Sequence, residues 1–137
     1  MTKEQIEKTL TAELYRLSER YSFDVAYVNK EYDPVIGTPY IAQWFLDSAP
    51  TDMTLAKGSE KHNGIMQLDI TVPYDSGNAE IYRLLAILEN SFKTNAKIRN
   101  DEGMVQLHKV YLSGHNIDNE WYARYMTIEY SAFAQNE

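Results

Sequence analysis

The sequence predicts an α+β fold: a mostly antiparallel sheet of four to five strands with two helices packed on one face. Three observations point there. Two stretches carry apolar residues at helical spacing, Ile6 to Tyr21 and Ile81 to Phe92. Several others alternate apolar and polar residues with the period of a strand, most clearly Met66 to Val72. Their order along the chain is helix, strands, helix, strands.

The first helix is expected over about Lys3 to Arg20. Gln5 stands three residues after Thr2, the spacing of a capping box. Ile6, Leu10, Leu14, Leu17 and Tyr21 then form one apolar stripe on an otherwise charged helix. Phe23 to Val28 reads as a short strand, followed by a turn-rich stretch from Asn29 to Pro39. Tyr40 to Asp47 is the next strand, with Tyr40, Ala42, Trp44 and Leu46 on one face and Ile41 and Phe45 on the other. Ser48 to Asn63 shows no periodicity and reads as a long loop. Loops of that length inside a compact domain are often functional.

Gly64 to Pro73 follows as a strand, with Met66, Leu68, Ile70 and Val72 on one side. The turn Tyr74 to Asn78 leads into a second helix, about Ala79 to Lys93, whose stripe is Ile81, Leu84, Leu85, Leu88 and Phe92. Tyr82 and Ile87 fall off that stripe. Val105 to Leu112 reads as a strand, Ser113 to Asn119 as a polar turn, and Trp121 to Phe133 as the last strand.

A chain of 137 residues suits one domain, here 1–137, large enough for a core without staples. It has no cysteine, which removes disulfides, thiolate metal sites and cysteine nucleophiles. No signal peptide, membrane span or glycosylation sequon is expected. The formal net charge of -7 argues against nucleic-acid binding, which needs a basic face. The one basic cluster, Lys93, Lys97 and Arg99, is expected at a helix end, where it complements the helix dipole.

No catalytic apparatus emerges. His115 and Asp118 are three residues apart, but no third metal ligand accompanies them. Ser113-Gly114-His115 lacks the elbow context of a serine nucleophile, and phosphate-cradling glycine motifs are absent. Asp69 and Glu129 read as a solvated sheet face. No enzyme activity and no cofactor is therefore expected.

The aromatic content is less ordinary: 11 tyrosines and 2 tryptophans. Trp44, Tyr122 and Tyr130 are expected in the core. Tyr74, Tyr82 and Tyr125 are interface candidates, because tyrosine is enriched where proteins meet. Ile87, off the core stripe, is expected to add exposed apolar surface.

Several segments together resemble the tail-terminator and minor-tail-protein family of long-tailed bacteriophages and prophages. They are Gly37-Thr38-Pro39-Tyr40-Ile41, Met53-Thr54-Leu55, and Asn63-Gly64-Ile65-Met66-Gln67-Leu68-Asp69-Ile70. Pro73 and Gly77 before a helix ending near Phe92, and the closing strand with Trp121, Arg124, Met126, Ile128 and Tyr130, complete the set. The resemblance implies a homo-oligomeric ring, typically a hexamer, that caps the tail tube and meets the head-tail connector protein. Its place would be the virion tail, with assembly in the bacterial cytoplasm and no membrane or specific nucleic-acid partner.

Under that resemblance, the Ser48 to Asn63 loop is the candidate contact with a neighbour or the tube. Met53 and Leu55 would anchor it; Asp52, Lys57 and Lys61 would set register by charge. His62, Tyr82 and Ile87 complete the expected protein interface. Two other classes stay open: an acidic binding module, such as an immunity-type inhibitor of a basic toxin, and an enzyme with a pocket between helices and sheet.

Overall fold

The computed structural model describes residues 1–47, 51–52 and 59–135. These residues form two helices and seven strands. Helix α1 is Lys3–Tyr21. The Thr2 hydroxyl accepts from the Gln5 amide at 3.2 Å, and the Gln5 side chain accepts from the Thr2 amide at 2.8 Å, so the capping box forms. Ile6, Leu10, Leu14 and Leu17 are buried along one side. Ser22, in left-handed backbone, ends the helix.

The strands are β1 (Asp24–Ala26), β2 (Tyr40–Asp47), β3 (Thr51–Asp52), β4 (Ser59–Pro73), β5 (Lys97–Asn100), β6 (Gly103–Asp118) and β7 (Trp121–Gln135). Helix α2, Ala79–Leu88, lies between β4 and β5. The strands run β1-β2-β4-β7-β6-β5 across one sheet, with β3 also against β4. Pairing is antiparallel except for β1 with β2.

Parity along the strands decides which face is covered. Ile41 pairs with Ile70, Met66 with Ile128 and Leu68 with Met126. All six are buried on the face that α1 and α2 cover, together with Leu84, Leu88 and Phe92 from the helical side. Gln43 shares that face and is also buried. Its amide donates to the Thr11 hydroxyl of α1 at 2.9 Å and accepts from the Val28 amide at 3.4 Å. A buried amide paired on both sides avoids the cost of lost hydration.

The sheet is larger than the four to five strands expected, for local reasons. β3 and β5 have two and four residues, too short to show a period. Residues 59–63 belong to β4 and not to a loop; they pair with 131–135 of β7. Ser113 to Asp118 continue β6 instead of turning. Bulges between Leu107 and Lys109 and between Leu112 and Gly114 shift the register, which breaks the alternation a sequence would display.

Helix α2 stops at Leu88, short of Lys93. Asn90 and Ser91 donate back to the carbonyls of Ile87 and Leu88, a tightened last turn that still delivers Phe92 to the core. Lys97 and Arg99 consequently lie on β5 and not at a helix end. Gly64 has a separate reason to be glycine: an added Cβ would stand 2.5 Å from the Tyr130 hydroxyl.

Candidate functional site

The face of the sheet away from the helices is open, and it carries aromatic and carboxylate side chains. Trp44 of β2 donates its indole N–H to Asp69 Oδ2 at 3.0 Å, and Gln67 donates to Asp69 Oδ1 at 2.8 Å. Burial raises the Asp69 carboxyl above its ordinary pKa, against the opposing effect of those two hydrogen bonds. Beside it, Tyr40 meets Trp121 edge-on at 5.3 Å, and Tyr32 lies 5.0 Å away on the other side. A shallow cavity of about 130 Å³ opens between Tyr40, Asp69, Asp118, Trp121 and Tyr125.

Trp44 corrects the sequence reading. It was expected in the core, yet it is 53% exposed, and Gln43 takes the inward position instead. Two hydrogen-bond partners make the amide cheap to bury, and Asp69 gives the indole a partner on the open face. Tyr130 is buried as expected, and Tyr122 packs half-buried against the core. Asp69 and Glu129 share the open face but stand four register positions apart, so they do not form a carboxylate pair. His115 and Asp118, three apart on strand β6, alternate to opposite faces; His115 stacks on Tyr122 at 5.9 Å. Among the described residues no group of three His, Asp or Glu side chains could hold a metal ion.

A larger concavity lies on the helical side. β1 pairs with β2 only as far as Ala42, after which residues 27–30 swing away. The gap left between α1 and the end of β2 is a groove of about 630 Å³. Phe45 and Gln43 form its floor; Ala12 and Tyr15 of α1 and Tyr27 and Val28 of the loop form its walls. Glu4, Glu7, Lys8 and Lys30 stand at the rim.

The residues expected at an interface are dispersed. Asp52 is on β3, opposite Glu60. Lys61 and His62 are half-buried on β4 opposite Phe133 and Ala132, in a strand and not in a loop. Tyr82 is exposed on α2. Ile87 is 8% exposed and belongs to the core, which corrects its assignment as outward apolar surface: α2 is covered on more than one stripe. Met53, Leu55 and Lys57 lie outside the described residues. The groove itself went unanticipated. Its one trace in the sequence is Tyr15, a large aromatic off the α1 stripe.

A family model described as phage tail terminator protein matches residues 5–130. The chain belongs to the phage tail terminator family. A solved structure shares the fold of this tail terminator at a TM-score of 0.75, with 16% identity over 96% of this chain and 95% of the other. No curated protein matches the chain. A tail terminator is a structural component of the virion tail, and the family is not an enzymatic one. Among the described residues, no helix is long and apolar enough to cross a membrane.

Proposed function

We propose that this tail terminator assembles into a ring, six subunits around, that caps the growing tail tube, stops its polymerisation and offers a surface to the head-tail connector. The observation that carries the reading is the family match over residues 5–130. The geometry supports it in three ways. A closed ring needs two different patches on each subunit, one for each neighbour. This subunit has both a groove under α1 and an open aromatic sheet face. It also has sheet edges without a neighbouring strand among the described residues: β2 beyond Ala42 on the β1 side, and β6 beyond Val110 on the β5 side, the Leu107 and Val110 amides being taken by Ala96 and Thr94. Unpaired strand edges are templates for contact with another chain. Finally, a ring through which DNA passes should not retain it, and a net charge of -7 suits that.

The test uses the tail-tube protein encoded with this chain. Adding the purified terminator while tubes polymerise should shorten them in a dose-dependent way, with a ring visible at one end by electron microscopy. Tube lengths that do not change at a molar excess of terminator would sink the reading.

A further inference from the structure

The basic cluster of Lys93, Lys97 and Arg99 does not serve the helix end its sequence position suggested, because α2 stops at Leu88. The three side chains are exposed instead around a concavity of about 320 Å³. It is bounded by the outer edge of β5, by Glu13 of α1, and by Asn90 and Ser91 after α2. Glu13 is the one carboxylate in its lining, and Arg16 and Ser91 already hold it. Asp101 and Glu102 lie in the turn beyond Arg99 and do not line it. Among the described residues, none of the three cations forms an ion pair. A chain of net charge -7 thus carries one concave site with cations to spare. β5 is also the last strand of the sheet, so its outer edge has no strand beside it among the described residues.

The far end of the same sheet has the opposite charge. Asp118 and Glu120 stand at the β6–β7 turn, where every residue from His115 to Glu120 is exposed. The Tyr74 amide donates to the Glu120 carbonyl at 2.7 Å, which fastens the turn carrying Asp75 to the same tip. Among the described residues, these three carboxylates form no ion pair. Ile117 and Tyr74 add exposed apolar surface beside them, at 55% and 54%. The hairpin stays paired to its last residues, Asp118 with Trp121. A projection already held in one shape loses little conformational entropy when it docks.

We infer that the acidic β6–β7 tip of one subunit seats in the basic concavity beside β5 of a second copy of this chain. This rests on the ring reading and names the contact that would build it. Charge complementarity selects the occupant: Asp118 and Glu120 supply the anions that Lys93, Lys97 and Arg99 lack at home. Within one subunit the two features cannot meet. Lys97 pairs with Gln106, and the run of β6 from there to Asp118 covers roughly 40 Å. The contact is also heterologous. Each bound pair leaves a free tip on one side and a free concavity on the other, so contacts propagate head to tail and close into a ring when the rotation permits. Opposed charges of this kind set register and association rate, while like charges in the same place repel.

The test reverses charge on each side. One variant carries Lys97→Glu and Arg99→Glu; the other carries Asp118→Lys and Glu120→Lys. All four positions are exposed, so thermal melts of both should match that of the unmodified chain. By light scattering at low salt, each variant alone should self-associate at least about 30-fold more weakly than the unmodified chain. An equimolar mixture should assemble again as an alternating ring, because each reversed surface then faces its opposite. One chain carrying all four substitutions should assemble too, and it keeps the net charge of the unmodified chain. If Lys97→Glu with Arg99→Glu assembles as well as the unmodified chain, the contact is wrong and the ring reading stands. Two folded variants whose mixture stays apart overturn it as well. If the Lys97→Glu, Arg99→Glu ring forms but no longer stops tube growth, the concavity docks on the tube and the inference fails. If the unmodified chain binds duplex DNA by anisotropy and that variant does not, the concavity serves phosphates and the inference fails again. A chain that stays monomeric at every concentration also overturns it, while tube length still judges the ring reading separately.

Discussion

At the scale of single residues, this tail terminator shows how neighbours decide what a side chain can be. Gly64 lies in β4 directly opposite Tyr130 of β7, and the ring of that tyrosine crosses the space a Cβ would fill. Tyr130 is only 5% exposed and cannot swing into water without opening the core. Burial also holds its phenol well above the ordinary range, so it stays neutral. Gly64→Ala is therefore expected to destabilise the fold by about 1–3 kcal/mol, the cost of overpacking a filled site. The denaturation midpoint should fall with the slope unchanged. An unchanged midpoint would mean that the Tyr130 ring relaxes freely. Gln43 and Trp44 make the complementary case. Each takes the position where its polar atoms find partners, and this outranks their relative hydrophobicity.

At the scale of elements, a small polar cluster fastens helix α1 to the chain leaving α2. Glu13 pairs with Arg16 on α1 and accepts from the Ser91 hydroxyl; Arg16 also reaches Ser91 at 3.0 Å. Hydrogen bonds from Arg16, then Ser91, hold the Glu13 carboxyl below its ordinary value of 4.5, against desolvation. A carboxyl with a lowered folded pKa stabilises the fold above its unfolded pKa and loses that contribution as pH falls through the folded one. Glu13→Gln should accordingly cost roughly 1 kcal/mol at neutral pH. The difference from the unmodified chain should shrink once pH drops below 4.5. Thermal melts across pH would show this; a constant difference down to strong acid would refute the assignment. The same cluster explains why α2 can end at Leu88. The tightened turn places Ser91 against Glu13 and Phe92 in the core at once.

At the scale of the whole molecule, the distribution of surface features matters more than any one of them. The helical side carries the core and the groove. The open sheet face carries aromatics around Asp69, and an exposed turn with Val35 and Ile36 precedes β2. A subunit with distinct patches at separate places suits head-to-tail assembly. The acidic balance adds a solution property: a formal charge of -7 with only 13 Lys and Arg disfavours association with a polyphosphate backbone. The assembled chain should show no duplex DNA affinity at physiological salt by anisotropy. Micromolar binding there would contradict a ring that lets DNA slide through.

The sequence by itself determined the two helices and their core stripes, because a 3.6-residue period survives wherever a helix packs on one side. It also determined the capping box at Thr2, the central strands and the family resemblance. The tertiary structure decided the rest, for reasons the local pattern does not contain. β3 and β5 exist only because β4 and β6 offer them edges. The end of β6 is hidden by bulges that reset its alternation. Trp44 faces outward because Gln43 finds Thr11 on a different element, and Ile87 is buried because α2 is covered on more than one stripe. The groove under α1 arises where β1 stops pairing at Ala42 while β2 runs on to Asp47. Periodicity records what each segment does alone; surfaces form where segments far apart in sequence end at different places, and only the folded chain fixes where they end.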